Sequence, residues 1–158
     1  MAVKKPLVMG PNGLPQQLQT GDTLSNVSGS NQITQTSTPS LVPGNVVYNT
    51  ATADTVAKAV ASGVSTSVIL GLAQASVSAG ATGSIQTSGV LALTTTQWDA
   101  VAGTTGGLVA GTTYFLSPST AGNITSTVPT TVGQTVAIVG TALSTTELNI
   151  TPTQPILL

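Results

Sequence analysis

The chain predicts an all-β fold, a small antiparallel β-barrel or sandwich preceded by an extended N-terminal arm. Three observations point there. Residues 108–150 divide into four short runs of β-branched, aromatic or alternating residues, each bounded by turn residues. Charged residues make up only 4% of the 158 positions, with three Lys, no Arg, three Asp and one Glu. The first 40 residues are rich in Gln, Asn, Ser and Thr and have only scattered apolar positions.

Taken in order, residues 1–40 are too polar and too broken to build a core of their own. They read as an arm, held by a partner surface or by neighbouring subunits, or else folded back over the chain's own domain. Pro6, Gly10, Pro11 and Gly13 interrupt the start, so no signal peptide is expected. Thr38-Pro39 and Val42-Pro43-Gly44 mark the boundary, which assigns residues 41–158 to a β-barrel or sandwich that also oligomerises.

Beyond the boundary, residues 45–49 read as a short strand. Residues 54–61 alternate weakly and read as strand, with a helix the competing course because Ala57, Lys58 and Ala59 favour it. Residues 68–75 form a strong strand pattern around Gly71, where an internal glycine marks a bulge or a close backbone approach. Residues 56–75 are the best membrane candidate, but Lys58 and several Ser, Thr and Gln residues break them, so two strands about the Ser62-Gly63 turn are expected. Residues 84–93 read as a strand broken at Gly89.

Residues 94–101 are the one place where a helical turn is expected. Threonines there offer an N-cap, and Asp99 is expected in the first turn, where a carboxylate suits the helix dipole. Trp98, the only tryptophan, reads as a plug for the open end of the barrel or a subunit contact rather than a ligand platform. Strands are then expected at residues 112–116, at 123–125, at 135–143 with a central glycine, and at 147–151. Residues 68–73 (VILGLA) and 137–142 (AIVGTA) echo one another, each placing a glycine inside an aliphatic run. Two copies are too few for a repeat array, but they suit pseudo-symmetric strands.

Little in the chain points to chemistry. It has no His, Cys or Arg, so a Ser nucleophile would have only Lys58 as a base. Asp22, Asp54, Asp99 and Glu147 are scattered, without the paired spacing of a two-carboxylate hydrolase. No P-loop and no spaced Asp/Asn calcium loop occurs. A net charge of −1 without Arg lacks the basic footprint of a nucleic-acid binder. The expectation is a protein that is not an enzyme, with no catalytic residue, no cofactor, no metal, no nucleic acid and no membrane partner. A surface this close to neutral favours association with copies of itself.

Four stretches carry a resemblance. LVMGPNGLPQQLQTGDTL resembles the amino-terminal segments of tailed-bacteriophage virion fibres and capsid decoration, or cement, proteins. VILGLAQASVSAGATGSIQTSGV, QWDAVAGTTGGLVAGTTYFLSPSTAGNIT and VGQTVAIVGTALSTTELNI are similar to the Gly/Thr/Ala/Val β modules of the same proteins. The resemblance covers roughly residues 41–151, with the arm a weaker second match. It implies a β-rich structural protein, commonly a homotrimer, fixed to the outer capsid surface of a virion by its arm after assembly in the host cytoplasm. On that reading Lys4, Lys5, Leu7, Val8, Leu14 and Leu18 would lie across subunits of the major capsid protein, adding main-chain pairing to strand edges. Trp98, Tyr114 and Phe115 would serve the subunit interface or the core. A tail-fibre or baseplate component, or a receptor- or glycan-binding fibre domain, is the alternative. The glycan reading expects an exposed aromatic and carboxylate cluster drawn from Trp98, Asp99, Tyr114 or Tyr48.

Overall fold

The computed structural model describes residues 7–9, 15–17 and 32–158 of the chain. Within the predicted arm, β1 (Leu7–Met9) and β2 (Pro15–Gln17) pair antiparallel, with Leu7 opposite Gln17 and Met9 opposite Pro15. Five strands then close a barrel: β3 (Gln32–Ser37), β4 (Val46–Asn49), β5 (Thr55–Lys58), β6 (Gly71–Ala73) and β7 (Thr82–Gln86), in the order β3-β5-β4-β6-β7. The all-β expectation holds. One pairing departs from the antiparallel pattern: β3 runs parallel to β5 through Thr36↔Thr55 and Ser37↔Val56.

The boundary expected at residue 40 falls earlier. β3 lies on the arm's side of it, yet it closes the barrel through five antiparallel pairs with β7, from Gln32↔Gln86 to Thr36↔Thr82. Its sequence, QITQTS, contains one large apolar residue. Main-chain hydrogen bonds on both edges, rather than side-chain hydrophobicity, hold it in place.

The second half adds β8 (Gly89–Ala92), α1 (Thr95–Ala102), β9 (Thr113–Leu116), β10 (Ile124–Thr125), β11 (Thr135–Val136), β12 (Ile138–Ala142), β13 (Glu147–Ile150) and β14 (Ile156–Leu157). Five of these form a sheet in the order β10-β9-β12-β13-β8, while β11 and β14 pair as a separate ribbon. The strand expected over residues 135–143 is therefore two. The chain breaks at Ala137, and the pairing of β12 with β9 shifts register between Ile138 and Gly140. The strand expected over residues 68–75 shortens to β6, whose pairs with β4 are Val46↔Leu72 and Val47↔Gly71, and just before it the Leu70 N–H donates to the Val47 carbonyl at 2.9 Å. The break at Gly89 is larger than a bulge, since β7 belongs to the barrel and β8 to the other sheet.

Alternation explains how the two halves share a core. Successive side chains of a strand point to opposite faces. On β4, Val47 joins Leu41, Val56, Ala73, Val77 and Ile85 in a cluster tied to the barrel strands, while Val46 packs with Trp98, Val101, Tyr114 and Leu148. On β6, Ala73 belongs to the first cluster and Leu72 to the second. Main-chain bonds reinforce the join: the Val46 N–H donates to Gly122 O at 2.9 Å, Gly122 N–H to Ala59 O at 2.7 Å, and Ala61 N–H to Ser117 O at 2.9 Å. The Asn45 side chain adds a buried amide bond to the Gly122 carbonyl at 3.1 Å.

The expected helical turn is a two-turn helix. Thr94 caps α1 by accepting from the Gln97 N–H at 3.2 Å, and the Gln97 side chain accepts in return from the Thr94 N–H at 2.9 Å. This is a capping box, which satisfies two N-terminal donors reciprocally. Gly103 ends the helix in the left-handed region at φ 65. Asp99 is not in the first turn; it lies one turn further on, and its carboxylate is engaged elsewhere.

Candidate functional site

Of the residues assigned to capsid binding, Leu7 and Val8 lie in β1, and Lys4, Lys5, Leu14 and Leu18 lie outside the described residues. The three aromatic residues assigned to interface or core separate. Trp98 is fully buried, and its indole N–H donates to the Thr146 carbonyl at 2.9 Å. Tyr114 is also fully buried, its hydroxyl accepting from the Val109 N–H at 3.1 Å. Phe115, next along β9, points the other way and is half-buried. Trp98 belongs to the larger buried cluster, which draws side chains from both halves, and its ring lies close to Gly44 just ahead of β4.

Asp99 holds the loop after α1. Its carboxylate accepts from the Gly107 N–H at 2.8 Å, the Thr104 hydroxyl at 2.9 Å and the Gly106 N–H at 3.0 Å. The Gly107 bond above all, helped by Thr104 and Gly106, holds its carboxyl below the ordinary carboxylate range, against an opposing effect of desolvation. Gly107 is required there: it sits at φ +92, and a Cβ on it would come 2.2 Å from the Thr145 carbonyl oxygen. All three of these hydrogen bonds to the Asp99 carboxylate come from this loop, which makes it a structural clamp.

Among the described residues, no three of His, Cys, Asp and Glu converge on a point that could hold a metal ion. No helix among them is long and apolar enough to cross a membrane. The aromatic and carboxylate cluster expected of a glycan platform does not form from Trp98, Tyr114 and Asp99, since two are buried and the third is spent on its loop. Tyr48, at the end of β4, is the remaining candidate and borders a small open pocket.

The surface feature that stands out is the β11–β14 ribbon. Thr135 pairs with Leu157 and Val136 with Ile156, and the Gly133 N–H donates to the Leu158 carbonyl at 3.0 Å. Ile156 is 66% exposed and Leu157 58%, though they project to opposite faces, and Val132 beside them is 88% exposed. Val128 and Leu158 are exposed too. A two-residue ribbon with apolar side chains in solvent on both faces is poorly stabilised in isolation. Neither β11 nor β14 carries a charged residue, and Pro155 stands immediately before β14. The sequence signal was the run Ile156-Leu157-Leu158, aliphatic on both faces of any strand it makes.

No protein-family model matches the chain, and no curated protein matches it.

Proposed function

We propose that this chain is a non-enzymatic virion structural protein that decorates and stabilises a phage capsid, bound to the major capsid protein through residues 1–31 and assembled with its own copies as a homotrimer. The observation that carries the reading is the β11–β14 ribbon, an uncharged aliphatic surface on a protein with almost no charge to keep its copies apart. The ribbon serves contact between copies, which leaves the arm free for the capsid. Three arms on one trimer raise avidity without any single strong contact, so sparse charge is no handicap. The β1–β2 pairing gives the arm a strand edge of its own to offer.

The test is co-sedimentation with undecorated capsids of the full chain and of a chain lacking residues 1–31, each sized beforehand by light scattering. The expected result is a trimer in both cases and particle binding by the full chain alone. Full occupancy by the shortened chain would remove the arm as anchor, and a monomer in both cases would remove the trimer.

A further inference from the structure

We propose that the pocket between the end of β4 and the turn before β6 binds a neutral sugar ring. This goes beyond capsid attachment and uses a different part of the surface. The pocket has a volume of about 260 Å³ and is lined by Tyr48, Asn49, Ser65, Val68, Ile69 and Leu70. Concave sites of this kind, mostly apolar with a few convergent polar groups, are where small ligands bind.

The turn that carries Ser65 is built rather than loose. Residues Val64–Thr66 form a single 3₁₀ turn. The Thr66 hydroxyl donates to the Val60 carbonyl at 2.9 Å, and the Val60 N–H donates back to the Thr66 carbonyl at 3.0 Å. Ser67, fully buried, donates to the Gly63 carbonyl at 2.9 Å. Thr66 and Ser67 therefore lock the backbone, while the side chain of Ser65 between them and Val64 stays exposed.

The opposite wall is as well fixed. Tyr48 is half-buried and packs on the larger core, and its strand position is set by pairing with Ala57. Asn49 follows it, opposite Val56. Among the described residues, none makes a hydrogen bond with the Tyr48 hydroxyl, the Asn49 amide or the Ser65 hydroxyl. Three residues with free donor–acceptor groups thus border a cavity that is also lined by Val68, Ile69 and Leu70.

That combination selects the ligand class. No carboxylate lines the pocket, which disfavours cations, and no Lys or Arg lines it, which disfavours phosphates and acidic sugars. A purely aliphatic ligand would strand the three polar groups. A neutral pyranose satisfies both demands: its C–H face lies on the Tyr48 ring, and its hydroxyls exchange hydrogen bonds with Asn49 and Ser65. Tyr, with few rotatable bonds and already packed, loses little entropy on binding.

The test is titration of the isotopically labelled full chain with glucose, galactose and N-acetylglucosamine, read by amide chemical shifts, with a neutral Val/Leu peptide as comparison. The expected result is saturable change at residues 48–49 and 64–70 with at least one sugar, at millimolar Kd. The Asn49→Ala/Ser65→Ala double variant, altered only at exposed side chains, should keep its dispersed spectrum and bind about tenfold more weakly or less. Tyr48→Phe should retain the ring and weaken binding less than the double variant. No saturable shift with any sugar, shifts unaffected by the double variant, or response to the peptide alone would overturn the proposal. The measurement involves no particle, so its failure is separate from failure of capsid attachment.

Discussion

Gly71 and Gly140 occupy matching places in the two halves of the chain. A Cβ on Gly71 would lie 2.3 Å from the Gln86 carbonyl oxygen, and one on Gly140 would lie 2.2 Å from that of Asn149. Each glycine stands on a strand whose antiparallel neighbour, β7 or β13, presses a main-chain carbonyl against it. The sequence echo of VILGLA and AIVGTA thus has a physical content, since both glycines permit the same close backbone approach. Gly71→Ala and Gly140→Ala should each destabilise the fold by about 1–3 kcal/mol, because the added methyl group must displace backbone rather than a side chain. Chemical denaturation of the two variants checks this, and wild-type midpoints would refute it.

Trp98 is fully buried in the core shared by the two halves, and its bond to Thr146 ties α1 to the turn before β13. Trp98→Ala should cost about 3–5 kcal/mol. Trp98→Phe should cost less, about 1–3 kcal/mol, through the smaller ring and the lost indole bond, since the Thr146 carbonyl keeps the Leu93 N–H at 2.9 Å. Thermal unfolding separates the cavity from the lost bond.

Asp99 makes the stability of the α1–β9 loop depend on pH in a defined direction. Its folded pKa is depressed, so its contribution is complete above the ordinary aspartate pKa of about 3.9 and fades as pH falls through the lower folded value. Protection of the Gly106 and Gly107 amides, measured as exchange relative to the intrinsic rate at each pH, should fall over that acid range. In Asp99→Asn it should be low already at neutral pH and show little further acid dependence.

Truncation distinguishes arm from barrel at a sharp position. A chain starting at residue 32 keeps β3 and should unfold cooperatively near the full-length midpoint. A chain starting at residue 39 lacks β3, leaves β5 and β7 each with an open edge, and should lose the cooperative transition of the barrel. Calorimetry of the two truncations shows the difference directly.

Much of this architecture was readable from periodicity. The strands Val46–Asn49, Thr113–Leu116 and Glu147–Ile150 follow alternating or β-branched runs, and their inward positions are the buried ones. β3 was not readable, because Gln, Thr and Ser in a row resemble a linker and its place is set by neighbours distant in sequence. The role of Asp99 was misread for a related reason: helix position was visible locally, but its acceptors' partners lie in a loop whose shape depends on Gly106 and Gly107. The pocket was invisible because Tyr48 and Ser65 meet only after the β4–β5 pairing and the 3₁₀ turn have formed. Tyr48 could be flagged by its chemistry, whereas Ser65 had no distinguishing signal among many serines.

The placement of β3 also has a consequence for how the chain finds its fold. Its partners are Thr55 and Val56 on one side and residues 82–86 on the other, so the first barrel strand cannot be closed in until the last has been synthesised. Pairings so distant in sequence carry a large loop-closure cost and form late. Until then a nearly complete barrel holds a strand-shaped slot, and at high local concentration the β3 of another copy fits it as well as its own. The same closure that defines the monomer therefore provides a route to domain-swapped dimers, which dilution during refolding should suppress.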